Sequence, residues 1–580
     1  MPFNPQNPLI TQSDRTVLLE VQNDLYEETR DALARFAELE KSPEYLHTYR
    51  ITPLSLWNAA SAGLTAQEMI ETLERYSKYD IPANIRVDIA DQASRYGRLR
   101  LVRAGIDLAL VSEDRALIAE MRRHKLIAPL IKSQEDANTL LIDLGQRGKL
   151  KQTLVSIGYP PKDEAGYTDG RHLPFDLRSL ALTGDPFNLR AYQRDAVQVF
   201  HAGGQASGGS GVIVLPCGAG KTMVGMAAMA ALKTATLILT PSTVAVRQWI
   251  HELLDKTTLT EDMIGEYTGL AKQVRPVTVT TYQILTYRPR RTDHFPHFAL
   301  FNQEDWGLII YDEVHLLPAP IFRITADLQA RRRLGLTATL VREDAHETDV
   351  FSLIGPKKFD LPWKVLEKQG WIATAECHEI RAYLPDDQRM EYAMVDDREK
   401  YRFAAENPVK FQMIDQVLDK HKEDNVLIIG MYISQLERVA ARYDFPLITG
   451  QTPVVEREKL FEKFRSGEVR VLVVSKVANF SIDLPDANVL IQISGTFGSR
   501  QEEAQRLGRI LRPKRNGLLA HFYTIVTRDT RDQDFAANRQ MFLTEQGYHY
   551  DILYQNEVEG FQPATLAAEA RSTRHRALPA

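Results

Sequence analysis

Hydrophobic positions change their period several times along the chain. Up to about residue 84 they recur every three or four residues, as over 19–39 and 55–76, which is the spacing of helices that bury one face. A helical N-terminal accessory domain is therefore expected over 1–84. From 85 the pattern mixes, and arginine alternates with leucine over 98–101 before Val102, so 85–170 is expected to form a small α+β module with its own sheet. Beyond 187, short apolar runs alternate with amphipathic stretches, the texture of a parallel sheet covered by helices on both faces. Strands are expected at 212–215, 236–240, 277–280, 308–311 and 333–336, and again at 425–429, 446–448, 470–474, 489–493 and 521–525. The predicted fold class is α/β, with two tandem parallel-sheet domains at 171–365 and 366–555. Gly/Ser-rich 203–211 reads as a flexible loop, and 556–580, without periodicity, as a disordered tail.

Composition narrows the class. At 580 residues the chain exceeds what one core supports. Hydrophobic content of 44% and charged content of 25%, without an apolar run long enough to cross a bilayer, predict a soluble protein with no membrane partner. The opening residues carry neither a basic start nor an apolar block, so no secretory signal and a cytoplasmic location are expected. The two cysteines, Cys217 and Cys377, lack the paired spacing of a zinc or iron–sulfur site, and no metal cluster is expected. A net charge of -5 argues against a generic nucleic-acid binder, unless positive charge is local, as in the runs at 331–333 and 509–515.

The most specific stretch is Leu215-Pro216-Cys217-Gly218-Ala219-Gly220-Lys221-Thr222, between an expected strand and the apolar run 223–232. It has the form of a phosphate-binding loop, with Leu215 where the usual pattern has its first glycine. Gly218 and Gly220, with Ala219 between them, let backbone N–H groups approach phosphate, and the helix that follows adds its partial positive charge. Lys221 would reach the β and γ phosphates, and Thr222 would ligate magnesium. Further on, the apolar run 308–311 ends in Asp312-Glu313-Val314-His315, and ligands of such sheets bind at the carboxyl ends of strands. Asp312 is expected to hold magnesium through water, and Glu313 to orient and deprotonate the attacking water. ATP and Mg2+ are the expected cofactors. Thr337 and Thr339 place hydroxyls beside this edge and, with His315, are candidates for relaying nucleotide state.

In the second block, 505–512 reads as a helix on which Arg509 and Arg512, three apart, share a face. Two guanidiniums there suit the charge of a phosphoryl group in transfer. Arg190 and Gln193 lie just upstream of the loop and Asp483 in the second block. Gln193 is a candidate for reading adenine and Asp483 for accepting from a ribose hydroxyl, while both also suit helix or turn caps.

Taken in order, these stretches resemble the XPB family of superfamily 2 DNA-repair helicases. The likeness is carried by 211–221, by Asp312-Glu313-Val314-His315, by 335–344 and by 505–512, and extends over 475–477, 481–485 and 487–494. It covers roughly 8–555 and looks like the compact prokaryotic form. The resemblance implies two RecA-like motor domains and an ATP-dependent 3′→5′ DNA helicase or duplex translocase, acting in nucleotide excision repair. It implies nucleotide roles for Gln193, Gly218, Gly220, Lys221, Thr222, Asp312, Glu313, Asp483, Gln505, Arg509 and Arg512. It also implies strand contact by the segments from Thr240 to Arg247 and from Thr280 to Gln283 and by 449–451, and an unwinding role for Arg342, Glu343 and Asp344. A thumb is implied at 391–408 and a damage-recognition role for 85–165. The implied partners are single-stranded and duplex DNA, bound largely without regard to sequence, and a nuclease or other repair protein.

Two rivals are disfavoured. A ring-forming AAA+ remodeller borrows its arginine from a neighbouring subunit, whereas this chain has a second α/β block of its own. A DNA-binding protein switched by nucleotide alone would have no need of Lys221, Glu313, Arg509 and Arg512 together. A duplex translocase that never separates strands stays open.

Overall fold

The computed structural model describes residues 3–205, 208–290, 295–329, 331–339, 347–475, 487–511, 519–558 and 560. Contacts divide the chain into two compact units, one of Met1–Glu38, Tyr45–Leu215 and Gly220–Leu361, the other of Leu39–Glu44, Pro216–Ala219 and Pro362–Ala580.

The first unit holds a seven-stranded sheet in the order Ile264–Tyr267, Val277–Thr281, Thr236–Thr240, Leu308–Asp312, Arg332–Thr337, Ser210–Val214, Lys357–Asp360. Every pairing in it is parallel. Strands buried on both faces read as continuous apolar runs, and Ser210–Val214, Thr236–Thr240 and Val277–Thr281 are buried at all positions. The five expected strands are present, and the outer strands Ile264–Tyr267 and Lys357–Asp360 complete the sheet.

Residues before 84 are not wholly helical. Leu9–Thr11, Thr16–Glu20 and Leu46–Arg50 pair antiparallel, and the stretch read as one helix over 19–39 is interrupted by strand and turn. Val17, Leu19 and Tyr49 are fully buried, so the operative period there is two rather than three or four. The boundary at 84 also shifts, because the helix Ala83–Arg95 packs against Pro53–Ser61 and Ala66–Tyr76 and belongs with the N-terminal helices. The module that follows is α+β: a five-stranded sheet, ordered Ile131–Asp136, Thr139–Ile142, Asp107–Val111, Arg100–Ala104, Lys162–Glu164, covers a core that includes Leu101, Leu110, Ile118 and Leu150.

The second unit repeats the parallel plan, in the order Leu447–Ile448, Val471–Ser475, Val426–Gly430, Val489–Gln492, Ala520–Thr527, Ala375–Ala382, Tyr550–Tyr554. Two strands here escape the sequence pattern. Ala375–Ala382 carries Glu376, His378, Glu379 and Arg381, and this polar content hides a strand buried beside Ala520–Thr527. Tyr550–Tyr554 is its outer neighbour. Where a thumb is expected at 391–408, the helix Asp386–Met394 ends and buries nothing, while Asp397–Ala405 buries Tyr401, Ala404 and Ala405.

The arginine run at 331–333 is not a positive patch. Arg333 is fully buried and donates to the carbonyls of Leu353 and Gln329 at 2.7 and 2.9 Å. Arg331 and Arg332 pair with Asp305 and Asp169.

Candidate functional site

Parallel register brings several of the expected motifs together in the first unit. Val214 lies beside Thr337, and Asp312 beside Leu336, so Leu215, the Asp312–Glu313 turn and Thr337 share one sheet edge. The Leu215 N–H donates to the Thr337 carbonyl at 3.0 Å, carrying the pairing one residue into the loop. Gly218 and Gly220 both have φ of +80°, a conformation L side chains resist. A Cβ at Gly220 would stand 2.6 Å from Gln193 Nε2, so this glycine is needed for close approach as well as for its turn. Gln193 is 3% exposed, and its Oε1 accepts from the Arg190 N–H at 2.9 Å. The Arg190 guanidinium donates to the Tyr192 hydroxyl at 3.0 Å. The helix Lys221–Leu232 starts directly after Gly220.

Lys221 Nζ lies 3.1 Å from Glu313 Oε1, with both side chains largely buried. Glu313 itself has φ of +52°, strained for a non-glycine residue, at the turn where Leu308–Asp312 ends. Asp312 Oδ2 accepts from the Trp249 indole N–H at 2.9 Å, and the Tyr282 hydroxyl donates to the Asp312 carbonyl at 2.8 Å. Burial, then the adjacent Glu313 charge, push Asp312 above the usual carboxylate range. Burial also opposes ionisation of Glu313, but the Lys221 ammonium and then His315 outweigh it and hold that carboxyl below its ordinary value. Environment thus separates two neighbouring carboxyls, one retained as anion and one easily protonated.

His315 connects this pair to the next motif. Its Nδ1 is 3.5 Å from Glu313 Oε2 and 2.6 Å from Thr337 Oγ1. The Thr337 hydroxyl donates to the Thr339 carbonyl, which makes the imidazole Nδ1–H the donor to Thr337. The Thr339 N–H returns to Thr337 Oγ1 at 3.1 Å.

Trp249 and Tyr282 are absent from the sequence reading, since nothing local marks either as a carboxylate partner. One signal exists in retrospect: Gly225, inside the first helix after the loop, has room for no Cβ, which would meet the Trp249 ring at 2.5 Å.

The expected DNA-facing residues divide. Arg247 and Gln283 are exposed. Thr240 and Thr280 are fully buried, and their hydroxyls donate to the carbonyls of Thr280 and Tyr267 at 3.1 and 2.8 Å. These two threonines shape their loops and do not present a side chain to a strand, contrary to the direct contact expected. In the second unit Gln505 is half-buried on the helix Arg500–Ile510. Arg506 on that helix is buried against Glu502 and Gln492, a core role for an arginine between Gln505 and Arg509. Arg342, Glu343, Asp344, Asp483, Arg512 and the Arg509 side chain lie outside the described residues. Thr222 is half-buried one residue into the helix after the loop, and Ala219 is buried. Among the described residues no helix is long and apolar enough to cross a membrane.

Three family descriptions match the chain: ERCC3/RAD25/XPB C-terminal helicase over 366–578, type III restriction enzyme, res subunit, over 186–342, and helicase conserved C-terminal domain over 9–136. A protein of Kineococcus radiotolerans named DNA 3'-5' helicase XPB is 54% identical over 557 residues, which span 96% of this chain and 98% of that one. The Mycobacterium tuberculosis protein of the same name is also 54% identical, over 95% of this chain and 99% of its own. In Enterocytozoon bieneusi, the general transcription and DNA repair factor IIH helicase/translocase subunit XPB is 34% identical, over 94% and 92%. Similarity that runs from the N-terminal sheet through both parallel sheets, over nearly the whole of each relative, means that this chain belongs to the XPB helicase family.

Proposed function

We propose that the protein is an ATP-driven motor that moves 3′→5′ on DNA and opens the duplex, in nucleotide excision repair. The observation that carries this reading is the buried Lys221–Glu313 pair beside Asp312 at one sheet edge, in a chain 54% identical to proteins named DNA 3'-5' helicase. The site fits a magnesium nucleotide: two positive-φ glycines open the loop, a helix N-terminus follows it, and the carboxylate edge lies in the adjoining strands. Bound there with Thr222 and Asp312 as its holders, magnesium would neutralise phosphate charge.

The chain's own residues are assigned as follows. Lys221 leaves Glu313 for the phosphates, and Glu313 then takes the proton of the attacking water. Arg190, Gln193 and Ala219 shape the nucleotide side of the loop. Gln505, Arg509, Arg512 and Asp483 are assigned nucleotide roles. His315, Thr337 and Thr339 relay the state of Glu313 along their hydrogen-bond chain. Arg247 and Gln283, together with Arg342, Glu343 and Asp344, serve the DNA side. The module over 85–170 is assigned to damaged DNA, the segment 391–408 to the thumb, and a repair nuclease is the proposed partner.

ATP turnover measured with and without single- and double-stranded DNA, in parallel with separation of a 3′-tailed duplex, tests the reading. DNA should stimulate turnover and the duplex should open. Turnover indifferent to every nucleic acid would refute a motor, and DNA-stimulated turnover without strand separation would make it a translocase.

A further inference from the structure

The second unit carries a set of ligand-type side chains that the motor chemistry does not use. Strands Ala375–Ala382 and Ala520–Thr527 run parallel, with Glu376 opposite His521 and His378 opposite Tyr523. Alternate residues of a strand share a face, so Glu376, His378 and His521 meet on one side of the sheet. His378 is fully buried and His521 is 7% exposed. Glu376 Oε2 lies 3.7 Å from His378 Nε2 and 3.4 Å from His521 Nδ1. One ligand atom from each of the three falls within 4.8 Å of the others.

Zinc held tetrahedrally by nitrogen and oxygen at about 2.0–2.1 Å sets its ligand atoms about 3.3 Å apart. The two contacts on Glu376 are close to that span and longer than good hydrogen bonds. Among the described residues His521 Nδ1 has no hydrogen-bond partner, although it is buried and aimed at this carboxylate. The second nitrogen of His378, Nδ1, faces Asp551 Oδ2 on the next strand at 3.6 Å, beyond hydrogen-bond length but on the side from which a carboxylate can orient a metal-bound imidazole. His421 alongside provides the contrast. Its Nδ1 bonds Asp424 at 2.8 Å and its Nε2 the Tyr523 hydroxyl at 2.9 Å, so both nitrogens are spent in ordinary hydrogen bonds.

We propose that Glu376, His378 and His521 bind one divalent cation of the zinc class, with a fourth position open on the half-buried Glu376 side. Two imidazoles and one carboxylate are a donor set suited to zinc. The cation joins Ala375–Ala382 to Ala520–Thr527 and acts as a staple of the second sheet, distinct from the magnesium assigned to Thr222 and Asp312.

The test uses the full chain without an affinity tag, stripped of metal by chelation and titrated with Co2+ in the absence of nucleotide. One cobalt per chain should bind with the visible absorption of a four-coordinate site, and zinc should displace it. At about 100-fold excess of zinc over its Kd, the melting temperature of the second unit should rise by about 5 °C. Glu376→Gln and His521→Gln should each weaken cobalt binding by about tenfold or more and remove the absorption, while Asp312→Asn retains it. His378→Ala adds a third arm when its circular dichroism matches wild type. Failure of the wild-type chain to bind cobalt at micromolar concentrations overturns the proposal. So does undiminished binding in both Glu376→Gln and His521→Gln, which would put the ion elsewhere.

Discussion

Asp163 and Asp312 are both carboxylates buried in the first unit, yet burial has opposite outcomes for them. Arg147 forks onto Asp163 at 3.1 and 2.6 Å, and Lys151 adds a contact at 3.0 Å and a bond to Gln329 at 3.0 Å. Burial alone would raise Asp163, but Lys151 and Arg147 outweigh it and hold the carboxyl far below the usual range. Burial also pulls Lys151 down to about 8, still cationic at neutral pH. Asp312, by contrast, receives a neutral indole N–H and adjoins a second carboxylate, so its charge is poorly supported. A saturated cluster ties the α+β module to the core of the parallel sheet. An undersupported one costs stability and is what a site built to receive a cation requires.

The largest effects should separate turnover from folding. Lys221→Ala and Glu313→Gln should each lower ATP turnover by about 10²–10⁴-fold, a loss larger than any change in folded fraction accounts for, and Glu313→Gln should still bind nucleotide. Full turnover in Glu313→Gln would show that another group is the base. Asp163→Ala should do the reverse: leaving Arg147 and Lys151 buried without their counter-ion should cost about 3–5 kcal/mol in denaturant unfolding of the first unit. Turnover per folded molecule should stay near wild type. A loss below about 1 kcal/mol would mean that solvent reaches the cluster.

Asp312→Asn sharpens the contrast, since it should abolish turnover and yet stabilise the apoprotein by about 1–3 kcal/mol at pH 7. The sign follows from the raised carboxyl. Its protonated form favours the fold, that contribution is lost as pH rises through the folded-state value, and the gain from Asn therefore fades toward pH 4. Asp163 runs the other way, its stabilisation present above the ordinary carboxyl value of 3.8 and lost as pH falls below it toward the lowered folded-state value. Melting curves from about pH 2 to 7 on both variants decide whether the two carboxyls differ as described. The smallest effect is expected from Gly225→Ala, where overpacking against Trp249 costs about 1–3 kcal/mol and helix propensity returns about 1. Its mark should be lower turnover at nearly unchanged stability, because the displaced ring is the one that bonds Asp312.

Much of the motor was legible because it is local. Continuous apolar runs at 236–240 and 308–311 mark buried strands without reference to any neighbour, and the loop from Leu215 to Thr222 carries its chemistry in consecutive residues. The N-terminal segment was misread because Val17 and Leu19 obey a strand period too short to stand out among helical spacings. Ala375–Ala382 was hidden for a related reason: Glu376, His378, Glu379 and Arg381 make a buried strand look like surface.

By itself the amino-acid sequence determined the apolar central strands of the two parallel sheets, where the loop turns on Gly218 and Gly220, and which residues carry charge at the strand ends. These follow from backbone preferences and from burial patterns a few residues long. Only the tertiary structure decided that Trp249 bonds Asp312, that Arg333 and Arg506 are core residues, and that Glu376 and His378 meet His521. Such partners are set by the register of parallel strands, and by the packing of the helices between them, across crossovers that run through long stretches of chain. That register is chosen by packing over a whole sheet, which no local window contains.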